Sequence, residues 1–264
     1  MQETDLATPA EAKAKVEALF DSLALEYVRE REQQFSFISQ KRIVMELLRG
    51  QRGRLLEVGC GPAIMLPDLL AMGFEVHGID VSAEMIRRAE QRMASHPLAS
   101  RCTLTIGDVE KLDFPDGRFD AVLAMGVLEY LATYHLALRE IARVLKLGGQ
   151  LVLTIPNRAS AYHLARGAYL GARRMIGLPR TTTFAATPCL PWALDRALAA
   201  AGLRKVSSRA CNFIFFPLKE AHERASEALN RALTPLAASP VAPFLGAQYI
   251  VKAQKTAWHS ASSG

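Results

Sequence analysis

Three acidic residues stand at or near the ends of three successive strand-like runs: Glu57 in LLEVGCGPA, Asp80 in FEVHGID and Asp108 in CTLTIGD. A glycine turn, Gly59-Cys60-Gly61, follows the first. Glycine lets backbone approach a ligand closely. A carboxylate ending the next strand, about 20 residues on, can accept both hydroxyls of a ribose. Glu57 suits a cationic amino group, held directly or through water. Asp108, with Gly107 before it, suits the amino group of an adenine. Phosphate chemistry fits poorly. The turn lacks the Lys and Ser/Thr of a P-loop, and Ile64 stands where a dinucleotide fingerprint needs a small residue. The pattern points to a ligand with an amino group, a ribose and an adenine but no phosphates. A sulfonium cation would gain further from this acidic rim. Each residue also has a plain structural use: glycines serve any turn, Asp80 complements a helix N-terminus, and Asp108 caps a turn.

The elements that must position these residues alternate along the chain. Helical spacing of Val16, Leu19, Phe20 and Leu23 predicts a helix near 11–29, and Ile43, Val44, Leu47 and Leu48 predict another over 36–49. Then come RLLEV as strand, a helix after Pro62, FEVHGID as strand, and SAEMIRRAEQRMA as helix with Ser82 as N-cap. CTLTIGD and FDAVLAMG read as strands, HLALREIARVLK as a helix closed by Gly148-Gly149, and QLVLTIPN as a strand. After Pro156 the pattern loosens. PWALDRALAAAGL and KEAHERASEALNRAL read as helices, and KVSSRACNFIFFP and AQYIVKAQK as strands. Such alternation predicts a parallel α/β sheet covered on both faces, with ligand outside the carboxyl ends of the strands. The tails, 1–9 and 257–264, are expected to be loose.

Composition sets the frame. The chain has 264 residues, half of them apolar, with 22% charged and a net charge of +6. That suits a soluble globular enzyme, and it permits an anionic partner although no long Lys/Arg run is present. The four scattered cysteines form no Cys-x-x-Cys pair, so neither a zinc site nor a disulfide framework is expected and a reducing compartment is the default. No apolar run reaches the roughly 18–20 residues that span a bilayer, and no secretory leader is visible. A cytoplasmic location, with the inner membrane surface as a peripheral possibility, is the expectation.

LLEVGCGPA, VHGIDVS, IGDVEKLDFPDGRFDAVLAMGVLEYL and LREIARVLKLGGQLVLTIPN resemble, in order and spacing, the motifs of class I S-adenosylmethionine-dependent methyltransferases. The resemblance is close over about 50–157. It departs at Ala63, where many members have a third glycine. It implies a Rossmann-like seven-stranded sheet, parallel except for an antiparallel last strand, for which AQYIVKAQK fits. The chain then divides into an N-terminal helical cap (1–49), a cofactor-binding core (50–157), acceptor-binding inserts with the remaining strands (158–246) and a final strand (247–256), within one domain. Carried over by position, Glu57, Gly59, Cys60 and Gly61 border the methionine part of S-adenosylmethionine. Asp80 and Val81 hold ribose, Met85 lies near adenine, Asp108 and Val109 address adenine, and Met125 lies beside the sulfonium. Tyr27 sits where relatives have a tyrosine over the cofactor carboxylate. Core packing is the competing use of Met85 and Met125, and helix packing that of Tyr27. The expected product is S-adenosylhomocysteine.

The acceptor is less legible. Glu129, Tyr130, Tyr134 and His135 follow the fourth strand, Tyr162 and His163 the fifth, and His222 lies late in the chain. His135 is the candidate base, because imidazole titrates near neutrality; a solvated helix-start histidine is the alternative. Ubiquinone-biosynthesis O-methyltransferases, a related group, hold a metal with a Glu-x-x-Glu-His pattern. Here Gly126, Glu129 and Tyr130 stand in its place, so no metal is expected. The segment NRASAYHLARGAYLGARRMIGLPR mixes arginines with aromatic and aliphatic residues, as a substrate lid or a helix lying on an anionic membrane would. A small hydrophobic acceptor methylated at oxygen is the expectation, with carbon, nitrogen or lipid acceptors and a non-catalytic cofactor-binding scaffold as alternatives. The inserts 158–190 and 217–246 would form its pocket. AMGVLE after the fourth strand lacks the Asn/Asp-Pro-Pro-Tyr/Phe signature of nucleic-acid enzymes, so no nucleic-acid partner is expected.

Overall fold

The computed structural model describes residues 11, 14–22, 31–32, 34–177, 186–213 and 223–257. Seven strands form one sheet in the order β3-β2-β1-β4-β5-β7-β6. They are β1 (Gly53–Val58), β2 (Phe74–Asp80), β3 (Cys102–Ile106), β4 (Phe119–Met125), β5 (Leu145–Pro156), β6 (Leu203–Cys211) and β7 (Gln248–Lys255). The first five pair in parallel, and β7 runs antiparallel to both β5 and β6. This is the Rossmann-like arrangement that the sequence led us to expect.

Strand period explains the layering. Successive side chains point to opposite faces. On β4, Ala121 and Leu123 join one apolar core, and Val122 and Ala124 join the other. The first core is built with α1 (Phe35–Leu48), α2 (Leu66–Ala71) and α3 (Ala83–Met93). The second is built with α4 (His135–Val144) and α6 (Pro191–Ala200). Between these two helices in the chain lies α5 (Ala161–Met175). The late insert adds α7 (Glu223–Leu233) and α8 (Ala242–Leu245). A helical segment at 14–22 precedes α1.

Two features depart from the sequence expectations. The helix expected directly after Pro62 begins only at Leu66, because residues 59–65 form a turn with Gly59, Gly61 and Ala63 at positive φ. Gly148-Gly149 do not close a helix. α4 stops at Val144, Leu145 is already extended, and β5 starts there. The pairing with β4 then jumps from Phe119↔Leu145 to Ala121↔Gln150, so the glycines lie in a bulge. Gly148 has φ +78°, and a Cβ on Gly149 would stand 2.8 Å from the Lys146 carbonyl oxygen.

The sheet reverses its winding between β1 and β4. β2 and β3 lie to one side of β1, and β4 and β5 to the other. The carboxyl ends of β1 and β4 therefore open a crevice, and the Gly59–Gly61 turn and Gly126 sit at its mouth.

Candidate functional site

Two adjoining cavities occupy this crevice. The larger, about 250 Å³, lies over Gly59, Gly61, Asp80, Val81, Met85, Asp108 and Val109. Much of the rest of its lining is apolar. Val16 and Phe20 come from the N-terminal helical segment, and Val127, Tyr130, Leu131 and Leu136 from the stretch after β4. Phe20 and Tyr130 meet edge to face at 5.1 Å between centroids. The smaller cavity is lined by Arg31, Phe37, Glu57, Cys60 and neighbours. Gly59, Gly61 and Met125 border both.

The turn is shaped by its glycines. Gly59 and Gly61 have φ of +65° and +51°, and a Cβ on Gly59 would stand 2.4 Å from Val127 Cγ2. Ala63, the non-glycine at the third position, is also left-handed at φ +60°. That region disfavours a Cβ, which explains why glycine suits the position.

Asp80 is fixed from its own side. Oδ2 accepts from the Gly61 amide at 2.9 Å and Oδ1 from the Ser82 amide at 3.0 Å. Each oxygen keeps a lone pair for a ligand hydroxyl. Burial raises its pKa, and these backbone donors pull it back. Ser82 caps α3 as expected, accepting from the Met85 amide at 3.1 Å. Its hydroxyl also donates to Asp21, tying the N-terminal segment to the site. Asp108 Oδ1 accepts from the Glu110 amide at 2.9 Å.

Glu57 is only 3% exposed, and its Oε2 has no hydrogen-bond partner among the described residues. Burial, with the Asp80 charge adding to it, lifts its pKa well above the usual carboxylate range, and Lys41 counters. A buried acceptor without a donor is costly, so this atom is suited to a ligand cation.

Other expectations fall elsewhere. Tyr27 and His222 lie outside the described residues. His135 opens α4, is exposed, stacks on Tyr134 and lines neither cavity. Among the described residues of 158–190 and 217–246, none lines the larger cavity. The end of the first insert reaches the stretch after β4 nearby: the Thr187 amide donates to the Glu129 carbonyl at 2.9 Å, and Cys189 Sγ lies 3.2 Å from the Tyr134 hydroxyl. One charged residue, Arg31, escaped notice as a site component, and Glu129 was noted only as an acceptor-side candidate. Arg31 brings a cation to the smaller cavity. The Glu129 carboxyl is buried beside it. Only their convergence in space reveals the pair.

Residues 56–153 match a family model described as a methyltransferase domain. A phosphatidylethanolamine N-methyltransferase from Cereibacter sphaeroides is 34% identical over 137 residues, covering 50% of this chain and 67% of that one. The chain belongs to the class I S-adenosylmethionine-dependent methyltransferases. A ubiquinone biosynthesis O-methyltransferase from Bradyrhizobium sp. (strain ORS 278) is 36% identical over 107 residues, 40% of each chain. The matches to these two methyltransferases therefore span about two-fifths to two-thirds of their lengths. In fold, the [4+2]-cyclase SpnF superposes with a TM-score of 0.65 at 22% identity, covering 92% of this chain and 97% of that one. S-adenosylmethionine is the cofactor of this methyltransferase. The residues present fit it: the orphaned Glu57 oxygen faces a cavity that also holds Arg31, as a zwitterionic amino-acid end requires.

Proposed function

We propose that this methyltransferase methylates a small hydrophobic acceptor at oxygen. The observation that carries the proposal is the mixed lining of the larger cavity: carboxylates and glycine backbone at the strand ends, with apolar and aromatic side chains from the N-terminal segment and the stretch after β4. In this assignment Asp80 accepts the ribose hydroxyls, with Val81 beside it. Asp108 and Val109 border the adenine, and Met85 packs on it. Glu57 and Arg31 take the ammonium and carboxylate of the amino-acid end at the Gly59–Cys60–Gly61 turn, with Met125 at the junction. The bound cofactor supplies an electrophilic methyl on a sulfonium. The chain's own task is to orient the acceptor and exclude water, and holding two reactants in line removes much of the barrier. Val127, Tyr130, Leu131 and Leu136 form the surface on which an apolar acceptor lies. Oxygen is favoured by likeness to the ubiquinone-biosynthesis O-methyltransferase. Nitrogen on a lipid headgroup is the second choice, favoured by likeness to the phosphatidylethanolamine enzyme.

We also propose peripheral contact with an anionic membrane. The chain has no acidic residue between Glu140 and Asp195. Within that stretch α5 buries only Tyr162, while Leu164, Ala168, Gly171 and Met175 recur at helical spacing on an exposed face. Arg166, Arg173 and Arg174 share the helix. Among the described residues no helix is long and apolar enough to cross a membrane.

The test uses S-adenosylmethionine labelled in its methyl group, with phenols, alcohols and a phospholipid extract as acceptors. Label moving into an organic-soluble methyl ether supports the proposal. Label on phospholipid nitrogen selects the second choice, and label on RNA defeats both. Co-sedimentation with anionic vesicles at low salt tests the membrane contact; its absence there refutes it.

A further inference from the structure

The buried carboxyl of Glu129 has no role in the assignments above. It is 7% exposed, and its Oε2 has no hydrogen-bond partner among the described residues. Its position is informative. A Cβ built on Gly126, at the tip of β4, would lie 3.7 Å from Glu129 Oε1 and 3.2 Å from Arg31 Nη2. Gly126 lines the larger cavity and Arg31 the smaller. Two opposite charges thus converge on one glycine at the joint between the cavities. Gly126 itself is left-handed, at φ +72°, which keeps this space free of a side chain.

We propose that Arg31 and Glu129 form a proton-coupled clamp for the cofactor's carboxylate. Arg31 receives the ligand carboxylate, and Glu129 takes one proton from solvent as it does so. The proposal rests on the assignment of the smaller cavity to the amino-acid end. In the free protein the Arg31 guanidinium offsets part of the cost of a buried Glu129 charge. A ligand carboxylate on Arg31 draws on the same cation and adds a second negative charge nearby, which disfavours an ionised Glu129. The proton balance is simple: Glu129 carboxylate plus a proton gives the neutral acid, and no covalent bond in the ligand changes. Burial already holds the pKa of Glu129 at about 7, with its own backbone amide and Arg31 pulling it down, so a modest further push changes its charge at neutral pH. Glu129 is a positioning residue here, acting through Arg31.

Other titratable groups must be separated from it. Across the smaller cavity stands Glu57, with Asp80 and Lys41 acting on it and Cys60 beside it. Glu57 meets the ligand's ammonium, so binding favours its ionised form and releases any proton it carries. That effect has the opposite sign to the one assigned to Glu129.

The experiment is titration calorimetry of the full chain with S-adenosylhomocysteine at pH 7 and 8, in two buffers of different ionisation heat. The wild type should take up more protons per ligand than Glu129→Gln, by about half a proton at pH 7 and more at pH 8. Correspondingly, affinity should fall up to about tenfold more between pH 7 and 8.5 in the wild type than in Glu129→Gln. With 5′-methylthioadenosine, which lacks the amino-acid end, the two proteins should take up the same number of protons. Arg31→Met should weaken S-adenosylhomocysteine while leaving 5′-methylthioadenosine unchanged, which controls for a general folding defect. Equal proton counts in wild type and Glu129→Gln, with S-adenosylhomocysteine still bound, overturn the clamp alone. Failure of the wild type to bind S-adenosylhomocysteine overturns the cofactor assignment with it.

Discussion

The stretch from β1 to β5 and the stretch from α5 to α8 are built on different terms. In the first, two of the three strand-end carboxylates are held by backbone amides: Asp80 by Gly61 and Ser82, Asp108 by Glu110. In the second, α5 buries a single side chain and leaves Leu164 and Met175 in solvent, and Ile176 just after it is exposed too. In the proposed assignment the first stretch holds the adenosyl ligand. The second begins inside a run, 141–194, that carries no acidic residue. A shared methyl donor and an individual acceptor would leave this contrast in a fold.

The contrast can be broken from either side, and the largest effect belongs to the cofactor half. Asp80→Ala removes a charged acceptor of two hydroxyls, each bond worth about 1.5–3 kcal/mol. Affinity for S-adenosylhomocysteine, measured by calorimetry, should fall roughly a thousandfold, while vesicle binding is unchanged. An unaltered affinity would remove Asp80 from the ribose.

The converse experiment replaces Arg166, Arg173 and Arg174 together by Ala. At about 1 kcal/mol per basic residue near an anionic surface, vesicle affinity should drop about a hundredfold at low salt. S-adenosylhomocysteine affinity should stay the same. If both fall together, the two halves are not separable.

Glu129 gives a smaller, pH-signed effect on stability. Its folded pKa lies above the unfolded value, so burying it costs nothing below about pH 4.5, increasingly more as pH rises, and a constant amount above about 7. Urea unfolding should therefore find Glu129→Gln stabilising by about 2–3 kcal/mol at pH 8, with the gain vanishing toward pH 4. A gain independent of pH would mean that charge is not its cause.

The smallest effect is at Ala63. Its left-handed backbone disfavours a Cβ, and glycine's greater unfolded-state entropy offsets part of the relief. Ala63→Gly should stabilise by no more than about 1 kcal/mol and leave cofactor affinity alone.

Much of the first stretch was legible in sequence. Ser82 announced its cap, FEVHGID its strand, and the glycines their turn, because each signal is local. Gly148-Gly149 misled for the same reason: glycine marks a bulge as readily as a helix end, and only the pairing of β5 with β4 decides. Arg31, and its meeting with the acceptor-side candidate Glu129, were not legible. The two residues stand far apart in the chain and meet only when the segment before α1 folds back over the end of β4. His135 drew attention through its chemistry, and the structure gives it the alternative place that the sequence offered, exposed at the start of α4. The proposed cofactor contacts sit at strand ends, where order along the chain predicts position. The acceptor side depends on packing between distant segments.

The central claim is that the crevice at β1 and β4 reads an adenosyl amino acid without phosphates. Equilibrium dialysis of the full chain against S-adenosylhomocysteine and against NADH tests it most directly. One S-adenosylhomocysteine bound per chain, with no NADH retained, is the expected result. Retention of NADH at comparable strength, or no binding of S-adenosylhomocysteine, would contradict it.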